Sequence, residues 1–127
     1  TGFISIFNCN PRFIDDKSFQ VFYKKSSLEK LSVSLHEITH FVFFDYVDAN
    51  FPEMKQMSKD SGILWELSEI FNAILLNELK FKEISGKKEK LFYPALEIKL
   101  SLVKTLWEAS EKHLSRDFLQ KSLDLMR

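Results

Sequence analysis

Residues 34–47 read SLHEITHFVFFDYV, and no other stretch of the chain limits its fold so tightly. Two imidazoles and a carboxylate are set among large apolar side chains. Just upstream, Ser26 and Glu29 have the spacing of a capping box, in which each side chain satisfies a free backbone N–H at a helix start. The apolar periodicity that follows predicts a helix from about Leu28 to Tyr46. Leu28, Leu31, Leu35, Val42 and Tyr46 form one stripe along it. Val33, His36, His40, Phe43 and Val47 form another, a quarter turn or more round. A helix apolar on two sides is expected to be covered on two sides, so the histidine stripe should face protein rather than open water. Buried ring nitrogens then need partners.

The rest of the chain supplies what surrounds this helix. With only three Gly and three Pro, long regular elements should dominate. GFISIF and SFQVFYKK flank the turn-rich NCNPRFIDDK and predict two strands, paired antiparallel in a small sheet. After the first helix, DANFPEMKQMSKDSG breaks the chain at Pro52 and Gly62. A second helix is expected from about Ile63 to Leu79, with Ile63, Leu67, Ile70, Phe71, Ile74 and Leu75 on one face. ISGKKEKLFYP reads as a loop ending at Pro94, followed by a third helix from about Ala95 to Leu114 and a helical tail from Ser115. Strands first and helices after predict an α+β fold with a mainly helical C-terminal part. A length of 127 residues predicts a single domain over 1–127. The chain starts without Met, and we expect a processed chain or a fragment, incomplete at its N-terminus.

Composition excludes several classes. Lys+Arg and Asp+Glu are equal at 18 each, and the formal net charge is zero. Lys87, Lys88 and Lys90 stand beside glutamate and read as a solvated loop, so no electrostatic case for nucleic acid exists. No apolar run approaches the roughly 20 residues of a membrane span, and the first residues lack a signal-peptide layout. Cys9 is the only cysteine, which suits a reducing compartment and a cytoplasmic location. Most of the 13 Phe, with Trp65 and Trp107, are expected to pack a core.

His36 and His40 stand at i and i+4, on one helical face with Cβ atoms about 5–6 Å apart. Two imidazole nitrogens at about 2.0–2.1 Å from one zinc ion fit that separation. Glu37 points about a quarter turn away, placed to act on a water as a general base. The pattern H-E-x-x-H, here HEITH, carries this chemistry when it lies mid-helix. The competing reading, two core histidines bonded to carbonyls, weakens because a chance match is on the order of one in a few hundred at typical composition. A third protein ligand is required. No His-x-x-Gly-x-x-His continuation follows, and His113 is far along the chain. The second helix offers Glu66 and Glu69. On the helical wheel Glu66 lies nearer the apolar face, so it is the preferred ligand, with Glu69 accepting a hydrogen bond from a ligating histidine; the reverse assignment stays open. Tyr93, stiffened by Pro94, is a candidate donor to a developing oxyanion, with His113 and Tyr46 behind it. SFQVFYKK, if it is an edge strand, would pair with an extended peptide.

HEITH, followed by a helix that carries Glu66, resembles the gluzincin branch of the zincin metallopeptidases, as a small bacterial member. SEIFN is loosely similar to the stretch around the glutamate ligand of thermolysin-like enzymes. The resemblance covers about residues 18–78. It implies His36, His40 and Glu66 as zinc ligands, Glu37 as base, and a peptide or protein substrate cleaved at a peptide or amide bond by metal-activated water. The chain departs from the thermolysin-like pattern in carrying Ile70, not Asp, four residues after Glu66. Two other classes stay open: a catalytically inactive zincin-like binding or regulatory module, and a metal-free helical interaction domain.

Overall fold

The capping box forms. In the computed structural model, which describes residues 1–127, the Ser26 hydroxyl accepts from Glu29 N at 3.3 Å and Glu29 Oε2 accepts from Ser26 N at 2.8 Å. Helix α1 (Ser27–Asn50) starts there. It runs about a turn beyond the expected end, until Phe51, held by its N–H to Val47 O, precedes Pro52. A residue before proline is driven out of the helical region, and a short 3-10 turn, Pro52–Met54, follows. Helix α2 (Gly62–Leu75) ends earlier than its periodicity suggested, and a separate short helix α3 (Leu79–Ser85) follows it. Gly86, at φ 66°, closes α3 in the left-handed conformation that glycine adopts without strain. The expected third helix is shorter, α4 (Glu97–Ala109), entered through a 3-10 turn at Pro94–Leu96. Helix α5 (Arg116–Met126) is capped by Ser115, whose hydroxyl accepts from Phe118 N.

The main core joins Phe43, Phe44 and Val47 of α1 to Leu64, Leu67, Ile70, Phe71 and Ile74 of α2, Val103 and Trp107 of α4, and Phe118, Leu119, Leu123 and Met126 of α5. A smaller cluster, Phe19, Val21 and Phe41, fastens the sheet to the opposite flank of α1. Helix α1 is therefore covered on two sides: the stripe of His40, Phe43 and Val47 is buried as expected, but the other buried stripe is not the expected one. Leu28, Leu31 and Val42 are exposed, and the second buried row runs through Glu37, Phe41 and Phe44. The sheet takes its position from Phe41, whose ring meets Phe19 at 6.4 Å.

Strand topology differs from a simple hairpin. Strands β1 (Gly2–Ser5), β2 (Arg12–Phe13) and β3 (Ser18–Phe22) lie in the order β1-β3-β2. Strands β1 and β3 are parallel, not antiparallel, and β2 pairs antiparallel with β3. Residues 6–17 give the dozen or so positions that a parallel return needs, and the turn at Ile14–Lys17 sends β2 back along β3. Strand β3 is interior: β1 holds one edge, while Pro11 O and Asn10 Oδ1 accept from Gln20 N and Phe22 N on the other. The SFQV stretch therefore has no free edge for a peptide. No helix is long and apolar enough to cross a membrane. Helices and a small sheet together make the α+β fold that the element order predicted.

Candidate metal centre

One helical turn brings His36 and His40 to the same face of α1, with their Nε2 atoms 3.1 Å apart. Helix α2 crosses that face. Its Glu69 places one carboxylate oxygen 3.3 Å from His40 Nε2 and the other 3.6 Å from His36 Nε2. Donors at 2.0–2.1 Å from a tetrahedral ion stand about 3.3–3.4 Å from one another. The three observed separations bracket that value, so His36, His40 and Glu69 could hold a metal ion.

The ring orientations are set from behind. Ser68 Oγ donates to Trp65 O at 2.7 Å. Its one hydrogen is thus committed, and at 3.0 Å it accepts from His40 Nδ1–H. His36 Nδ1–H donates to Glu89 Oε1 at 3.0 Å. Both rings thereby carry the δ hydrogen and aim Nε2 at Glu69, the arrangement a metal ligand needs. Asn72 Nδ2 donates to His36 O at 2.9 Å and ties the two helices together at the same level.

Glu66 is not the converging carboxylate. Its side chain turns to Lys99 on α4, at 2.6 Å. The wheel argument assumed one apolar face on α2, pointing at α1. Helix α2 is instead buried on several sides: its apolar residues meet α4 and α5, and the strip Ser68–Glu69–Asn72 meets α1. Polar residues inside so apolar a helix were the available signal, because a buried polar group must find a partner.

Glu37 lies beside the trio. Its carboxylate accepts from Arg12 Nη1 at 3.2 Å, and Arg12 Nη2 is 3.8 Å from Glu69. Arg12 reaches in from β2, the stretch read from sequence as a turn. Glu89 comes from the lysine-rich loop read as solvated. Neither gave a local sign of its role. Glu89 is held in place by Ser32 Oγ and by its own carbonyl, which accepts from Asn77 Nδ2. His36, Glu37 and Glu69 open onto a cleft of about 780 Å³, walled by Arg12, Trp65 and residues 87–93. Tyr93 is on that wall, its ring edge-on to Trp65 at 4.9 Å. The two weaker oxyanion candidates lie elsewhere: His113 stacks on Trp107 and donates to its carbonyl, and the Tyr46 hydroxyl donates to Leu114 O.

Electrostatics separates the groups. Burial opposes charge on His36, but hydrogen bonds to Glu69 and Glu89 outweigh it and raise its pKa to about 9. Burial dominates at His40 and lowers it to about 4. Glu69, despite its burial, is brought down to about 2 by the two imidazoles. Burial pushes Glu37 up against the opposing pull of His36 and Arg12. Tyr93 is raised by burial and then by Glu69, which keeps its hydroxyl protonated. A metal ion and the His36 proton compete for one nitrogen. No family model, no curated protein and no solved structure matches this chain.

Proposed function

We propose that this chain is a zinc-dependent metallopeptidase that hydrolyses a peptide or amide bond, with Glu37 as general base. The observation that carries the reading is the convergence of two Nε2 atoms and a carboxylate at tetrahedral edge lengths, in a cleft that Glu37 also lines. Two imidazoles and one carboxylate, open on one side, form a donor set suited to catalytic zinc. When bound, the ion supplies Lewis acidity, polarising a carbonyl and making water a nucleophile near neutral pH.

The chain's own residues do the rest. His36, His40 and Glu69 would hold the ion, and Glu89 and Ser68 keep the rings turned to it. Glu37 accepts the proton of the attacking water and returns it to the leaving nitrogen. Its burial strengthens it as a base, and Arg12 limits the rise. The Tyr93 hydroxyl donates to the oxyanion. Purified protein should contain about one zinc per chain. Glu37→Gln should lose peptide hydrolysis by at least about 100-fold while keeping its metal. Zinc-loaded wild-type protein that turns over no member of a peptide library would defeat the reading. One observation favours a second function, a catalytically inactive metal-binding module: the Arg12–Glu37 ion pair weakens the base.

A further inference from the structure

The cleft lining carries five cations, Arg12 and four lysines, against five carboxylates, but the two signs are sorted by depth. Formal charge sums to zero over the sequence, yet the cleft mouth collects Lys25, Lys87, Lys88 and Lys90 against only Glu29 and Asp60. None of these lysines has a carboxylate within ion-pairing distance; the lysines that do pair are Lys17, Lys59, Lys99, Lys104 and Lys121. Glu29 is bound into the helix cap by Ser26 N and Oγ. Deeper in, Glu69 and Glu89 face His36, and Glu37 faces Arg12. The deep carboxylates are thus matched, while the cations at the mouth are not. A second observation comes from the cleft floor. The Nε of Arg12 is buried without a hydrogen-bond partner, although both terminal nitrogens lie near carboxylates. A guanidinium has five donors in a fixed fork and suits carboxylate recognition.

Resting on the peptidase reading, we propose that the cleft selects acidic peptide, with glutamate or aspartate side chains of the substrate paired to Lys87, Lys88, Lys90 and Lys25 at the mouth. Arg12 at the floor offsets Glu37 and Glu69, so the buried carboxylates repel such a segment less. The low-dielectric walls of Trp65, Phe92 and Tyr93 focus the field of the mouth lysines. The lysines at 87, 88 and 90 are exposed and pack no core, so they can be changed without disturbing the fold.

The test is binding, which needs no turnover. A labelled glutamate-rich peptide and its counterpart with glutamine at the same positions are titrated against zinc-loaded Glu37→Gln protein by fluorescence anisotropy, with metal-free wild-type chain as a check on folding of the variant. The acidic peptide should bind at least about tenfold more tightly, and its advantage should shrink as salt rises from about 50 to about 300 mM. The combined variant K87E, K88E, K90E should lose that preference at an unchanged melting temperature. Equal binding of the two peptides, or a preference that survives the triple variant, overturns the proposal. So does a labelled oligonucleotide that binds more tightly than the acidic peptide. If no peptide is cleaved but the acidic preference holds, the hydrolase reading falls and this one stands; cleavage of both peptides with equal KM has the opposite meaning.

Discussion

His36 and His40 are one residue type four positions apart, yet their surroundings drive their protons in opposite directions. His36 meets two carboxylates at a half-buried position; His40 is fully buried beside one carboxylate, a hydroxyl and the other imidazole. In the metal-free protein this sets a pH profile. Folding raises the His36 pKa from 6.5 to about 9, so its contribution is complete below pH 6.5 and is lost as pH climbs through 9. Folding lowers the His40 pKa from 6.5 to about 4, so the unfolded chain binds more protons between those values and stability falls as pH drops through that window. Urea titrations of stripped protein should therefore show greatest stability near pH 6.5. A loss on the order of 3 kcal/mol is expected towards pH 9, and a flat profile would contradict the cluster. The two α2 glutamates separate as cleanly. Glu69→Gln should weaken zinc binding by more than the roughly 10–100-fold that outer partners cost, read by competition with a chromophoric chelator. Glu66→Gln should leave affinity unchanged and lose at most about 1 kcal/mol of stability with the Lys99 pair.

At the scale of elements, α2 is the piece that assembles the site. Its apolar residues anchor it against α4 and α5, and its polar strip is thereby presented to α1. Leu67, 1% exposed, is part of that anchor. Leu67→Ala should cost about 2–5 kcal/mol. Leu31, on the α1 stripe that the structure leaves in solvent, is 37% exposed, and Leu31→Ala should stay within about 0.5 kcal/mol. Denaturant midpoints of the two variants test the buried anchor of α2 against the exposed stripe of α1. Much of this level was legible in the chain: the Ser26–Glu29 cap, the buried histidine stripe of α1 and the strand-then-helix order follow from local periodicity and cap chemistry. The parallel pairing of β1 with β3 was not, because strand direction depends on how residues 6–17 return, and their turn formers permit either course.

Across the whole molecule, the candidate centre ties α1, α2 and the 86–93 loop together through His36, His40, Glu69 and Glu89. An ion bound only by the folded chain stabilises it by mass action, about 4 kcal/mol at a thousand times its Kd. Zinc at that level should raise Tm by on the order of 10 °C for a chain of this size, and chelator should reverse the rise. His36→Ala should abolish the response. A thermal scan in which neither zinc nor chelator moves the wild-type melting curve would remove the metal from the account.

The amino-acid sequence by itself determined that His36 and His40 share a face, that Glu37 stands a quarter turn off, and that a capped helix carries all three. Those relations span a few residues, and the 3.6-residue period settles them before any packing occurs. Only the tertiary structure decided that Glu69 meets the imidazoles while Glu66 meets Lys99, that Arg12 pairs with Glu37, and that Glu89 turns His36. Helix α2 is buried on more than one side, so no wheel states which side meets α1. Arg12 and Glu89 lie 25 and 53 residues from their partners, at distances where chain path and packing, not local propensity, choose the contact.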